Sequence, residues 1–172
     1  MNTEPIREQN SSEAVIRVDG LVRRFKRKAA LDGVSMQHKG TVHGLVGENG
    51  AGKTTLMKHL LGGYRPQAGT VSVFGMDPVK SPVEVLGRLG YLSEERDIPG
   101  WMRVRELIWY CKSFYPAWDD AYAESLRVRF GLDPKTKIKS LSRGERAKAG
   151  LLRAIAYRPE LLLLDEPSSG LD

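Results

Sequence analysis

One nine-residue stretch, GENGAGKTT at residues 47–55, limits the possible folds more than any other part of the chain. It follows the apolar run TVHGLV, which we expect to form a strand, and it precedes apolar residues at helical spacing. Its glycines permit backbone angles that other residues avoid, so consecutive N–H groups can turn inward around an anion. The stretch therefore predicts a strand, a phosphate-binding loop and a helix in succession.

Every position of this loop is a candidate contact to a nucleotide. Lys53 can reach the β- and γ-phosphates, and the Thr54 hydroxyl can ligate magnesium. An ordinary glycine-rich turn is the alternative, and the strand and helix expected on either side argue against it. The predicted nucleotide-binding residues of the loop are Gly47, Glu48, Asn49, Gly50, Ala51, Gly52, Lys53, Thr54 and Thr55.

Two adjacent carboxylates follow the run LLLL at residues 161–164. Such a run is typical of a strand buried on both faces of a parallel sheet, and open α/β sheets build their sites at the ends of these strands. We predict that Asp165 lies beside the metal and that Glu166, together with Lys53, is catalytic, with Glu166 as the base that polarises water. Taken alone, these residues would also fit a strand that ends in a polar turn.

The rest of the chain alternates between strand and helix patterns. Short β-branched runs predict strands at 15–25, within 33–47, at 70–75 and at 89–93, and a serine cap followed by proline predicts a short helix at 81–89. Two helical segments separated by Pro116 suggest an insertion between two halves of an α/β core. A long helix is predicted from Arg143, ending before Pro159.

Composition excludes several classes of protein. A hydrophobic content of 41% and a charged content of 28% are ordinary for a soluble globular domain, and no run approaches the roughly 18 apolar residues of a membrane-spanning helix. Residues 1–14 are typical of a flexible polar tail, and the single cysteine, Cys111, fits a reducing compartment.

The net charge is +6. One explanation of this excess is binding to polyanions such as nucleotides, nucleic acids or acidic lipid head groups. The alternative is a solvated strand edge, where charge discourages pairing with another strand. Charge alone does not decide between them. The local basic cluster comprises Arg23, Arg24, Lys26, Arg27 and Lys28.

With LSRGE at residues 141–145 and SGLD at 169–172, these motifs make residues 15–172 resemble the nucleotide-binding domain of ATP-binding-cassette (ABC) transporters of bacterial export type. The resemblance implies an α/β phosphate-loop core with an N-terminal antiparallel β subdomain and a helical subdomain inserted at about residues 97–142. It also implies ATP and Mg²⁺ as ligands, and ATP hydrolysis that drives a separate transmembrane subunit from the cytoplasmic face of the membrane. No nucleic acid is expected as a partner.

In this family two ATP-binding subunits, identical or different, sandwich two ATP molecules head to tail. The signature motif serves the nucleotide of the other subunit, through a serine and a glycine amide at a helix N-terminus, and a later loop lets the subunits sense each other. In this sequence the signature comprises Leu141, Ser142, Arg143, Gly144 and Glu145, and the subunit loop comprises Ser169, Gly170, Leu171 and Asp172.

Two predictions about aromatic residues stay open. Phe25 matches the family residue that stacks on adenine, and a buried core phenylalanine explains it equally well. The helical insertion carries the docking surface for membrane partners in this family. From sequence alone, packing within the domain is favoured for Trp101, Trp109, Tyr115 and Trp118.

The sequence departs from the family pattern in three respects. Glu94 stands where a glutamine usually touches magnesium and the attacking water. We keep it as a metal-ligand candidate, and we expect the signal that this position relays to the partner to be altered, because a carboxylate lacks the amide donor. The signature has Arg143, which could add a charge-assisted phosphate contact, and Glu145 where glutamine is commoner. The family also has a downstream switch histidine, whereas the three histidines here precede the helical insertion and are expected to have structural roles: His38, His43 and His59.

We therefore expect a core that is incomplete at its C-terminal end, with apolar surface exposed around residues 161–164. We favour an ABC transporter ATPase. The alternatives are a soluble ABC-type ATPase acting on nucleic acid or ribosomes, and a fragment that binds nucleotide with little hydrolysis. The 172-residue chain is expected to turn over ATP more slowly than a version extended through a downstream histidine.

Overall fold

The computed structural model describes residues 14–26, 28–40, 42–45, 47–48, 50–93 and 98–166. The chain divides into two compact units, Met1–Pro82 and Val83–Asp172.

The first unit is built on a three-stranded antiparallel sheet. Strand β1 (Ile16–Phe25) lies between β2 (Lys28–His38) and β3 (Ala68–Val73). Apolar and polar residues alternate at the start of β1, so Val18 points into the core, opposite Val71 of β3. The antiparallel β subdomain that the resemblance implies is confirmed.

Helix α1 (Lys53–Leu60) contacts β2 and β3 of this unit. Leu56 and Leu60 are buried on one face, as the helical spacing predicts. The helix ends before Gly62, whose φ of 73° is left-handed and whose added Cβ would lie 2.2 Å from the Pro78 carbonyl oxygen. The predicted end of the helix is confirmed, because only glycine fits there.

The strand predicted just before the phosphate loop is wrong for residues 42–45, which have no regular secondary structure. Val42 is 87% exposed and Leu45 is 44% exposed. An extended segment is stable only when neighbouring strands satisfy its N–H and C=O groups. The ladders of the described residues join β1 to β2 and β3, and two further strands to each other, and none of them includes this segment.

The second unit contains a parallel strand pair. Helix α2 (Pro82–Arg88) leads into β4 (Leu89–Leu92), which pairs in parallel with β5 (Leu161–Leu164). The helix and both strands are therefore confirmed. Burial on both faces of β5 holds only in part, because Leu163 is 9% exposed whereas Leu164 is 36% exposed.

Three further helices form the core of the second unit. They are α3 (Val104–Lys112), α4 (Asp120–Arg129) and α5 (Arg143–Ile155), with a short 3-10 helix (Ile138–Ser140) before α5. The two helical segments around Pro116 and the long third helix are thus confirmed. Their shared apolar core includes Val104, Leu107, Cys111, Ala123, Leu126, Leu132, Ile138, Ala149 and Leu152.

Packing was the wrong expectation for two of the aromatic residues. Trp101, which precedes α3, is 69% exposed, and Trp109 is 71% exposed. Trp109 falls outside the buried face of α3, which carries Val104, Leu107 and Cys111. The expectation is confirmed for the other two aromatics. Trp118 packs against the helical core, and the Tyr115 ring stacks on Tyr157 with centroids 3.8 Å apart.

None of the helices in the described ranges is long and apolar enough to cross a lipid bilayer.

Candidate functional site

The phosphate loop depends on backbone angles that favour glycine. Gly50 has a φ of 83° and Gly52 a φ of 97°. A Cβ on Gly52 would lie 2.3 Å from the Ala30 carbonyl oxygen, so β2 approaches the loop too closely for any side chain. The Ala51 N–H donates to the Glu48 carbonyl at 3.1 Å and closes the turn. The predicted loop geometry therefore has a steric cause in β2 as well as a conformational one.

Helix α1 begins without a side-chain cap. Its N-cap is Gly52, which has no side chain, and no acidic residue lies in its first turn. The other three long helices in the described ranges are capped. Asp119 accepts from the Tyr122 N–H at the start of α4, and the carboxylates of Glu106 and Glu145 accept from the N-cap amides of α3 and α5. The first-turn amides of α1 therefore present partial positive charge that no side-chain cap or first-turn acid offsets, and this suits a bound anion.

Lys53 folds back over the loop. Its Nζ donates to the Gly47 carbonyl oxygen at 2.6 Å and to the Glu48 carbonyl oxygen at 3.1 Å. An ammonium group has three donors and no acceptor, so it can exchange one of these carbonyl partners for a phosphate oxygen. Thr54 and Thr55 follow in the first turn of α1 and are half-buried. Asn49 lies outside the described residues.

A second cation near the loop was missed in the sequence. The Lys28 ammonium, at the start of β2, lies 3.8 Å from the point that a Cβ on Gly50 would occupy. The basic cluster at residues 23–28 was the available signal, but the close approach of β2 to the loop, with Ala30 against Gly52, is what brings Lys28 there.

Asp165 follows β5 and is 3% exposed. Its N–H donates to the Leu92 carbonyl at 2.9 Å and extends the β4–β5 ladder by one residue. Its buried Oδ2 has no hydrogen-bond partner among the residues that the structure describes. A buried, unpartnered carboxylate oxygen fits a hard cation such as Mg²⁺, which is commonly held by one or two carboxylates with phosphates and water.

Glu166 has a φ of 47°, which is left-handed, and its side chain is exposed. Non-glycine residues with such angles cost about 1–3 kcal/mol and often lie at functional sites, although three others occur in the described part of this chain. The metal-ligand candidate Glu94 lies outside the described residues. The predicted subunit loop, Ser169, Gly170, Leu171 and Asp172, lies outside them too.

The signature motif is a capping box at the start of α5. Ser142 Oγ accepts from the Glu145 N–H at 3.2 Å, and the Glu145 carboxylate accepts from the Ser142 N–H at 2.8 Å. That second bond lowers the pKa of Glu145 below its ordinary value. The departure from glutamine at Glu145 thus has a structural reason, since serine followed three residues later by glutamate is a helix-start pattern.

The other signature residues differ in exposure. Leu141 is 5% exposed and lies in the helical core, so it anchors the motif. Ser142 and Arg143 are exposed, and Gly144 is half-buried in the first turn of α5. As an acceptor from Glu145, the Ser142 hydroxyl still has its own hydrogen to donate.

Phe25, at the end of β1, is 40% exposed, so the alternative of a buried core phenylalanine is wrong. Its ring lies edge-on to the Tyr64 ring, with centroids 5.8 Å apart. Ring surface therefore remains open to a planar group.

An antiparallel sheet, a glycine loop leading into a helix, and a parallel strand pair later in the chain are together the pattern of α/β phosphate-loop nucleotide-binding proteins. Within that class the chain belongs to the ABC transporter family, whose family model matches residues 31–169.

Several curated relatives are similar over most of this chain. One is the daunorubicin resistance ATP-binding protein DrrA3 of Streptomyces coeruleorubidus, 36% identical over 94% of this chain and 53% of its own length. Another is the ABC transporter ATP-binding protein NatA of Bacillus subtilis, 36% identical over 87% of this chain and 65% of its own. An Agrobacterium fabrum protein, named for ribose, galactose and methyl galactoside import, is 35% identical over 94% of this chain. The chain spans 34% of that relative's length.

Solved structures agree on the fold. The structure of an ATP binding subunit of an ABC transporter has a TM-score of 0.79 at 24% identity, over 92% of this chain and 68% of that one. A bacterial Atm1-family ABC exporter with ATP bound has a TM-score of 0.77 at 21% identity, over 95% of this chain and 31% of that one. The chain therefore has the mixed α/β fold of ABC ATPases.

Proposed function

We propose that this chain binds Mg²⁺·ATP and hydrolyses it as the nucleotide-binding subunit of an ABC transporter, with transport through a separate transmembrane partner. The observation that carries the proposal is the uncapped N-terminus of α1, with Lys53 folded over the loop before it. A triphosphate supplies the negative charge that this helix end lacks.

In the proposed site the phosphate loop holds the triphosphate through its amides, and Lys53 exchanges a carbonyl partner for a phosphate oxygen. Phe25 stacks on the adenine ring. Thr54 and Asp165 would hold Mg²⁺, with Glu94 as a further candidate. The ion would neutralise charge on the phosphates. The buried, unpartnered Oδ2 of Asp165 supports its role.

For hydrolysis, Glu166 is the proposed general base, which accepts a proton from the attacking water. Its exposed side chain and left-handed backbone support a functional role at this position. Ser142 and the Gly144 amide are proposed to bind the nucleotide of a second subunit, identical or different, with Arg143 adding charge. Residues 169–172 are proposed as the contact between the two subunits.

A docking role for the helical part of the second unit, about residues 97–142, completes the proposal. Exposed aromatic residues on and just after α3 support it, since exposed apolar surface is common at interaction sites. They are Trp109, Tyr110 and Phe114. The chain would then lie on the cytoplasmic face of the membrane through its partner. Copurification with a polytopic membrane protein tests this part. The named relatives include import and drug-resistance proteins, so no cargo is assigned.

Calorimetric titration with Mg²⁺·ATP tests the nucleotide site. Lys53→Ala removes the ammonium over the loop, and we expect it to weaken binding by at least about tenfold, as loss of a charge-assisted contact does. Lys80→Ala is the matched control, because it removes an ammonium at the other end of α1. Lys80 is 83% exposed and pairs with Asp77. The residue after Asp77, Pro78, contacts Gly62 at the C-terminal end of α1. Undiminished binding by Lys53→Ala would reject the proposed function.

A further inference from the structure

The Arg23 side chain lies against two aromatic rings. Its guanidinium carbon is 4.8 Å from the centroid of Phe25 and 4.6 Å from the centroid of Tyr64. The two rings also touch edge to face, with centroids 5.8 Å apart. We call these three residues, Arg23, Phe25 and Tyr64, the arginine clamp.

The clamp shields part of the half-buried Arg23 side chain from water. The Nε atom of Arg23 is buried and has no hydrogen-bond partner in the described part of the chain. One terminal nitrogen, Nη1, donates to the Arg65 carbonyl oxygen at 3.4 Å, a long bond. A guanidinium group that is partly shielded in this way gains stabilisation from the ring faces, which attract its charge and match its planar shape.

Tyr64 connects the clamp to the helix of the phosphate loop. Its ring lies 5.6 Å from the His59 ring, and the Lys58 ammonium lies 5.9 Å from its centroid. His59 in turn donates from Nδ1 to the Thr55 carbonyl oxygen at 2.8 Å, in the first turn of α1. The clamp therefore ties Phe25, on β1, to α1, the helix that follows the phosphate loop.

We propose that Arg23 is a positioning residue that holds the Phe25 ring ready to stack on the nucleobase. The inference rests on the proposed function, because it assumes that Phe25 stacks on adenine. A phenylalanine that is 40% exposed would lose side-chain freedom when a base stacks on it. The clamp removes that freedom before the nucleotide arrives. The ratio of affinity for a nucleotide to affinity for its phosphates alone is therefore larger with the clamp than without it.

The experiment compares ATP with inorganic triphosphate, both with Mg²⁺, because the second ligand has phosphates and no base. In Arg23→Gln we expect affinity for ATP to fall about three- to tenfold, the range of a cation–π contact, with triphosphate binding unchanged within about twofold. Retained triphosphate binding shows that the variant folds. Arg23→Lys keeps the charge without the planar fork, and we expect it to restore part of the lost affinity for ATP.

Arg24→Gln is the matched control. Arg24 is the neighbouring residue, 60% exposed and paired with Asp32 at 3.0 Å, so its loss removes the same charge without touching the rings. We expect no selective loss of ATP binding. A second test uses Phe25→Leu: if Arg23 acts through the Phe25 ring, Arg23→Gln has no further effect on ATP affinity in that background.

Two results would overturn the inference: equal losses for ATP and triphosphate in Arg23→Gln, or additive losses with Phe25→Leu. Equal affinity for the two ligands in the unmodified protein would reject stacking on Phe25 and the inference with it. The proposed phosphate site fails by a different result, undiminished binding of both ligands by Lys53→Ala.

Discussion

Two histidines meet where β2 ends. His38 is 6% exposed, and its ring lies against His43, with centroids 4.3 Å apart and the planes nearly perpendicular. The two Nδ1 atoms share a hydrogen bond, so one ring donates and the other accepts. This contact ties β2 to residues 42–45, which lead into the phosphate loop. The expected structural role of both histidines agrees with this placement.

The His38 contact predicts a pH dependence of stability. Burial, and secondarily the nearby charge of His43, lowers the pKa of His38 below its ordinary value of 6.5. Below pH 6.5 the unfolded chain therefore takes up a proton that the folded chain resists. This contribution to stability is complete above pH 6.5 and is lost as the pH falls below it. Urea unfolding at a series of pH values measures the slope.

His38→Gln is the variant for this prediction, since it removes the titrating ring. We expect a flatter dependence of the free energy of unfolding on pH between about pH 7 and pH 5. Identical slopes in the variant and in the unmodified protein would contradict the assignment to His38.

At the scale of elements, the structure describes four helices of eight or more residues: one begins without a side-chain cap and three begin with one. The open helix, α1, follows the glycine loop, whereas α5 begins with the reciprocal bonds of Ser142 and Glu145. Both helices have first-turn N–H groups that need acceptors. In α5 side chains supply them, whereas in α1 they remain for an external anion.

Loss of the α5 cap has a measurable effect on stability. Ser142→Ala removes the acceptor of the Glu145 N–H, and we expect the free energy of unfolding to fall by about 1 kcal/mol. Ser125→Ala on α4 is the control: its hydroxyl only bonds back to the Tyr122 carbonyl, and its loss should change stability by less than about 0.5 kcal/mol. Equal effects in urea unfolding would show that the cap contributes nothing.

The start of β2 contributes charge to the phosphate loop. Lys28→Gln removes the ammonium near Gly50, and we expect affinity for ATP to fall about two- to fivefold, as for a partly screened charge. Lys39→Gln, just past the other end of β2, is expected to change it little. The difference should shrink as salt is added; a salt-independent loss would instead indicate a structural effect of Lys28.

For the whole molecule, local patterns were sufficient for most of the fold. Helix α5 follows from apolar spacing after Ser142, and the capping box that explains Glu145 is itself readable in four residues. The strand at residues 42–45 failed because strand stability depends on neighbours that no local pattern specifies. The prediction for Trp109 was wrong because aromatic content does not by itself imply packing, and the spacing of the α3 core leaves this residue outside the buried face.

Local motifs likewise predicted some residues of the candidate site and not others. The phosphate loop and the carboxylates after β5 were visible as short motifs. Arg23 and Lys28 were not, because their contacts arise only when β1 turns into β2 and when Tyr64 folds back onto β1. Arg23 and Tyr64 are 41 positions apart and Lys28 and Gly50 are 22 apart, and contacts at such separations leave no periodic trace in a single sequence.

The exposure of Trp101 and Trp109 has a practical consequence. Of the three tryptophans, these two lie mostly in water, and Trp118 is half-buried. Their emission is therefore open to a soluble quencher, and a molecule that covers Trp109 on α3, or Trp101 before it, will shield that residue. The protein thus carries its own optical reporter for encounters at the helical part of the second unit, without an attached dye.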